Sequence, residues 1–133
     1  MHQKIQLVDI QKLVAHERTD RARIVEVRAQ IRRRGAVRRP VIVDRKSKVI
    51  LDGHHRVRAL QEMGARRVPV MYVRYQDARI KVYLRRKEIL MDMLKDYVIR
   101  RARSHMLFPS KTTRHFIGKG RSVLFIRVAD LMT

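Results

Sequence analysis

Hydrophobic positions along this chain switch between two periods. Lys4 to Val8 reads as a short opening strand, and the segment QKLVAHERTD reads as a turn or short helix followed by a loop. Ile24, Val27 and Ile31 recur at helical spacing, so a helix is expected from a cap at Thr19 or Asp20 to about Arg34, with Gly35 as its stop. Val41 to Val43 and Lys48 to Leu51 flank a polar turn and predict a hairpin. A second helix is expected from His54 to Met63, with Val57 and Leu60 inward and Gly64 at its end. Arg67 to Tyr75 predicts a strand whose Pro69 suits an early or edge position, and ARIKVYL predicts another. Lys87 to His105 has a helical pattern, as one helix or two, with Ile89, Met93, Tyr97 and Met106 inward. A polar loop, MLFPSKTTRHFIGKG, and a closing strand, SVLFIRV, complete an α+β pattern with a mixed sheet.

Composition narrows the class. The 133 residues suit one domain, and 45% hydrophobic content is enough for a core. No run approaches the ~20 apolar residues of a membrane helix, and MHQKIQLVDI lacks an apolar signal core. A cytoplasmic protein with no membrane partner is expected. The absence of cysteine excludes disulfides, thiolate metal sites and a cysteine nucleophile. High charge and the absence of asparagine point to a thermophile, while seven methionines point the other way. The net charge is +21, and 24 of the 33 basic residues are arginine. Such a surface attracts polyanions, so non-specific nucleic-acid binding is expected whatever the function.

The densest chemistry lies in VILDGHHRVRAL, residues 49–60. A strand that turns into a helix at Asp52-Gly53 leaves backbone N–H groups at the helix start, a natural phosphate seat. Gly53 permits close approach, and His54, His55 and Arg56 add donors. Asp52 repels phosphate unless it holds Mg²⁺, orients a histidine or acts as a base. The alternative is an Asp52 N-cap beside two surface histidines, and the residues alone leave the two readings level.

The stretch RRPVIVD...KVILDGHHRVRALQEMGARRVPV resembles the ParB/sulfiredoxin superfamily over about residues 4–84. That resemblance implies a ParB/sulfiredoxin-like mixed sheet with flanking helices and a nucleotide-phosphate site at Gly53–Arg56. Sulfiredoxin chemistry needs a cysteine where this chain has His54. A partition ParB adds a helix-turn-helix and a dimerisation domain, for which the remaining residues leave no room. A second segment, FPSKTTRHFI, resembles the C-terminal signature of archaeal free serine kinases, which also carry D-G-H-H-R. Pro109-Ser110-Lys111 makes this version one residue longer.

The kinase resemblance implies phosphoryl transfer from ADP or ATP, with Mg²⁺, to the hydroxyl of free L-serine. It implies Glu17, in His16-Glu17, as catalytic base, Asp52 as catalytic carboxylate and Mg²⁺ ligand, and Lys111, Thr112, Thr113, Arg114 and His115 as the substrate- and phosphate-binding jaw. On their own, Glu17 reads as a surface carboxylate beside Arg18 or Arg21, and KTTRH as a solvated basic loop. Arg38 and Arg39, in GAVRR, are candidates for phosphate contact or merely a cationic helix end and loop. The expectation is therefore a single domain, 1–133, with a nucleotide-binding core to residue 84 and an extension over 85–133 that completes the site. The competing expectation is a ParB-like module that binds or cuts nucleic acid, or a nucleotide switch that hydrolyses CTP or ATP slowly.

Overall fold

Both faces of the central strands are apolar, and the chain covers both. The computed structural model describes residues 5–84, 89–90, 94–108, 113–116 and 124–132. Strand β1 (Ile5–Asp9) is followed by a 3₁₀ turn and helix α1 (Arg21–Arg34). Next come β2 (Ala36–Val37), the hairpin of β3 (Val41–Asp44) and β4 (Ile50–Asp52), helix α2 (His54–Glu62) and β5 (Arg67–Val73). Then follow β6 (Lys81–Leu84) and, in the extension, β7 (Ile89–Leu90), α3 (Leu94–Arg103), β8 (Thr113–Phe116) and β9 (Ile126–Arg127).

The main sheet has the order β1-β5-β3-β4 and is mixed: β3 runs parallel to β5, and the other pairs are antiparallel. Its side chains alternate in register with the pleat. Val41, Val43, Val68 and Val70 pack with Ile24, Val27 and Ile31 of α1 and Val57 and Leu60 of α2. Ile42, Met71 and Val73 point the other way and meet Val82 of β6 and Val98 and Ala102 of α3. Burial on both faces explains why these strands are continuously apolar rather than alternating.

The ends of the first helix follow from its sequence. Asp20 caps α1 through Oδ1, which accepts the Ala22 amide at 3.1 Å. Gly35 terminates it at φ 68°, a left-handed conformation that glycine adopts without penalty.

Several expectations are corrected. β5 is an interior strand, so of the two positions expected for Pro69 the edge is excluded and the early one holds. Pro69 is tolerated because the β3 ladder begins only at Val41↔Val70, one residue later. The expected helix over Lys87 to His105 is shorter: Ile89 lies in β7, paired antiparallel to β6, and α3 starts at Leu94. Its inward stripe is Val98 and Ala102, whereas Tyr97 and Met106 are 44% and 64% exposed. Met93 lies outside the described residues. Among the described residues of the expected last strand, Ile126 and Arg127 form β9, paired with β2, and a 3₁₀ turn over Val128–Leu131 follows.

Candidate active site

Glu17 is brought to the middle of the molecule by two short parallel bridges. Val14 pairs beside Val49, next to β4, and Glu17 pairs beside Phe108. The Phe108 amide donates to the His16 carbonyl at 2.8 Å, and the Arg18 amide donates to the Phe108 carbonyl at 2.7 Å. The His16-Glu17 segment is thus clamped between the core and the extension, and Glu17 is only 9% exposed.

Facing it is the start of α2. Gly53 is the N-cap at φ 113°, and no side chain caps the helix, so Asp52 is not an N-cap. A Cβ at residue 53 would sit 3.0 Å from Arg56 Nη1 and 3.3 Å from both Val41 methyls. With the left-handed φ as well, any other residue is strained in this turn.

The adjacent histidines brace the opposite loop. His54 Nε2 accepts the His16 amide at 3.1 Å and lies 3.4 Å from the Glu17 amide. His55 Nε2 accepts the Asp20 amide at 3.0 Å. Each ring is therefore the acceptor at Nε2, leaving Nδ1–H as its donor. The Arg56 guanidinium donates to the Pro40 carbonyl at 3.0 Å and so ties the turn to the entry of β3.

Strand β8 closes the third side. Glu17 Oε1 accepts the Thr113 amide at 3.2 Å, and Thr113 Oγ1 lies 3.4 Å from Oε2. The same hydroxyl lies 2.9 Å from His16 Nε2. His16 Nδ1 must donate to the Ile50 carbonyl, 2.7 Å away, because a carbonyl can only accept. Burial drives the His16 pKa down to about 4, against a smaller raising effect of that carbonyl. The neutral ring then has a bare Nε2, and the single Thr113 proton points there rather than at Glu17. For the same reason the 3.7 Å approach of His16 to Glu17 is not an ion pair near neutral pH.

His115 completes a buried histidine trio. Its ring lies 5.5 Å from His16, whose ring lies 4.6 Å from His54. Burial first, then the neighbouring rings and Lys95, pushes His54 and His115 well below the usual histidine pKa. The Tyr75 hydroxyl and His115 Nε2 share a 2.7 Å hydrogen bond. Burial, reinforced by the charges of Asp44 and Asp96, raises the Tyr75 phenol far above its ordinary range, so it stays protonated.

One cavity of about 310 Å³ is bounded by Glu17, Arg18, Asp52 to His55 and Thr113 to His115. A second, larger cleft of about 920 Å³ meets it at Asp52–His55 and carries Arg23, Arg34, Arg38, Arg39 and Arg56. Arg38 and Arg39 thus share a cleft with the α2 start, as one of their two readings requires. Asp52 borders both spaces. Lys111 and Thr112 lie outside the described residues. The sequence did not single out Tyr75, Arg18 or the structural use of His16. Only His16, beside Glu17, carried a local signal.

The model of the ParB N-terminal domain family matches residues 1–86, well over half of the chain. The chain belongs to the ParB N-terminal domain family. Two curated relatives, each named ATP-dependent L-serine kinase, extend the likeness. The protein from Staphylothermus marinus is 34% identical over 80 residues, which cover 57% of this chain and 32% of the relative. The one from Desulfurococcus mucosus is 36% identical over 84 residues, covering 59% of this chain and 33% of the relative. The matched stretch thus spans about a third of those proteins. Among solved structures, a free serine kinase in complex with AMP superposes with a TM-score of 0.82 over 98% of this chain and 95% of its own, at 14% identity. At that identity the likeness establishes the ParB-like α+β fold, including the extension. No helix among the described residues is long and apolar enough to cross a membrane.

Proposed function

We propose that this ParB-family chain is a small-molecule kinase that moves the terminal phosphoryl group of ATP or ADP to the hydroxyl of free L-serine. The observation that carries the reading is the junction at Asp52–His55 of an arginine-lined cleft and a small cavity holding Glu17. The names of the relatives support it and favour ATP as donor, whereas the AMP in the similar structure is what an ADP donor would leave behind. Core and extension act as one domain, because the cavity takes residues from both.

The chemistry follows from the geometry. Phosphoryl transfer needs alignment and charge stabilisation more than covalent help. The cleft arginines and the α2 amides receive the phosphates, with the helix dipole favouring negative charge. Serine enters the smaller cavity with its hydroxyl toward Glu17, which takes the proton as the oxygen attacks. Arg114, Arg18 and the jaw residues Lys111 and Thr112 supply cations and donors for the serine carboxylate. His54 and His55 hold the Glu17–Asp20 loop, and Thr113 and His115 wall the cavity.

Mg²⁺ usually keeps waters and binds one or two carboxylates plus substrate phosphates. Among the described residues no three acid or histidine side chains form a metal cage. Asp52, placed where both spaces meet, fits a single carboxylate ligand for an ion that arrives with the nucleotide and neutralises its phosphates.

Incubation with L-serine, Mg²⁺ and ATP or ADP is expected to yield O-phosphoserine, detected by mass spectrometry. Hydrolysis of either nucleotide at a rate indifferent to serine would replace this reading with a nucleotide switch.

A further inference from the structure

A third cleft shares no lining residue with the cavity that holds Glu17, and the proposed reaction has no use for it. It occupies about 780 Å³ between the β3–β4 turn, the end of β5 and α3, and its lining includes Arg45, Lys46, Arg74, Arg100 and Arg103. Residues 96, 99, 100 and 103 line it from α3, a single i, i+3, i+4, i+7 stripe. The opposite face of that helix carries Val98 and Ala102 into the core. The helix therefore presents one organised face to this space.

The cleft is cationic at the rim. Arg74, Arg100 and Arg103 are exposed and make no ion pair among the described residues. Two carboxylates border it. Burial alone would raise the Asp44 carboxyl, but bonds from the Ser47 hydroxyl, the Ser47 amide and the Tyr75 amide outweigh it and keep Asp44 below the usual range. Its oxygens, 2.6 Å from Ser47 Oγ and 3.0 Å from the Tyr75 amide, are committed inward. Asp96 is exposed and offsets one of the five cations. Ile99, half-buried on the same face of α3, contributes apolar surface to the lining.

We infer that this cleft is a binding site for single-stranded nucleic acid, distinct from the phosphoryl-transfer site. Planar guanidinium groups grip phosphates bidentately and also stack on bases, which lysine cannot do. Sequence-tolerant single-strand binding combines a cationic groove with planar stacking platforms, and in this cleft the exposed guanidinium planes are the groups that can serve as both. A whole-molecule charge of +21 supplies the long-range attraction.

The test is fluorescence anisotropy with labelled fifteen-residue oligo-dT and oligo-U over a salt series. Binding should weaken at least about ten-fold in the triple variant Arg74→Ala/Arg100→Ala/Arg103→Ala, and its log–log salt slope should fall by about two units, three phosphates at ~0.7 each. The control triple Arg32→Ala/Arg33→Ala/Arg66→Ala removes the same charge from exposed positions elsewhere and should change affinity less than about two-fold, the part due to net charge alone. Single Arg100→Glu keeps the test valid if the triple variant is poorly folded. Equal loss in both triples would overturn the site in favour of diffuse charge. So would an abasic oligonucleotide binding as well as oligo-dT, or anionic vesicles binding through these arginines in preference to oligonucleotide. Phosphoserine formation should be unchanged in the Arg74/Arg100/Arg103 variant, and its loss would place the cleft within the kinase site instead. An inactive wild type that still binds oligonucleotide through this face would sink the kinase reading and leave this one standing.

Discussion

Glu17 Oε1 already accepts the Thr113 amide, while the Thr113 proton is drawn to His16. The Thr113 hydroxyl proton is therefore not committed to Glu17, the carboxylate proposed to take the serine proton as general base. Glu17→Gln keeps the shape and removes the basicity, so phosphoserine formation should fall by about 10²–10⁴. ATP affinity, measured by calorimetry, should move little, because the seat proposed for the phosphates is the other cleft. A large loss of nucleotide binding would show that Glu17 belongs to the donor site. Gly53 makes a different kind of demand. At φ 113°, with Arg56 Nη1 and Val41 in the way of a Cβ, Gly53→Ala should cost about 1–3 kcal/mol in strain. It should also displace the α2 amides, so a drop in thermal midpoint should accompany weakened ATP binding. A variant that binds ATP normally would mean the phosphates dock elsewhere.

Among the elements, the second bridge to the Glu17 segment runs through Phe108, which stands just before the start of the KTTRH jaw. Phe108 is 7% exposed, packs in the α3 cluster and lies under the Arg101 guanidinium at 4.5 Å. Phe108→Ala should cost about 3–5 kcal/mol and loosen His16-Glu17 along with it. The predicted signature is a fall in kcat greater than the rise in KM for ATP. Equal effects on both would mean the bridge serves stability alone. The core elements were legible because their patterns are local: the Ile24–Val27–Ile31 stripe, the Asp20 cap and the Gly35 stop all fall where the residues place them. The extension was not. Ile89 fits a helical spacing with Met93 and Tyr97, yet it is recruited as an edge strand by β6, a tertiary event that no window of sequence contains. Among the site residues, the turn at Gly53 announced itself by composition. The use of His54 and His55 as acceptors for backbone amides did not, since their partners lie 38 and 35 residues away in the chain. Tyr75, whose hydroxyl meets His115, gave no signal at all for the same reason.

For the molecule as a whole, three buried imidazoles set the response to acid. His16, His54 and His115 are neutral when folded, and each takes up a proton only well below its ordinary pKa of 6.5. The unfolded chain binds those protons first, so the rings' contribution to stability is complete above pH 6.5. It is lost as pH falls from there toward about 4. Each ring contributes a slope of about 1.4 kcal/mol per pH unit in that window. Urea denaturation at pH 7.5, 6 and 5 should therefore show falling stability, and His115→Gln should flatten the dependence. A stability independent of pH across that range would mean the trio is hydrated. The cavity these rings surround is also split along the chain. The phosphate turn and Glu17 come from the stretch matched by the family model, whereas Thr113 and His115 arrive from beyond it. On the proposed function, such a partition would let the second half be exchanged through insertion or replacement while the first half keeps its seat for phosphate, so that one scaffold could take new acceptors without redesigning how it holds the donor.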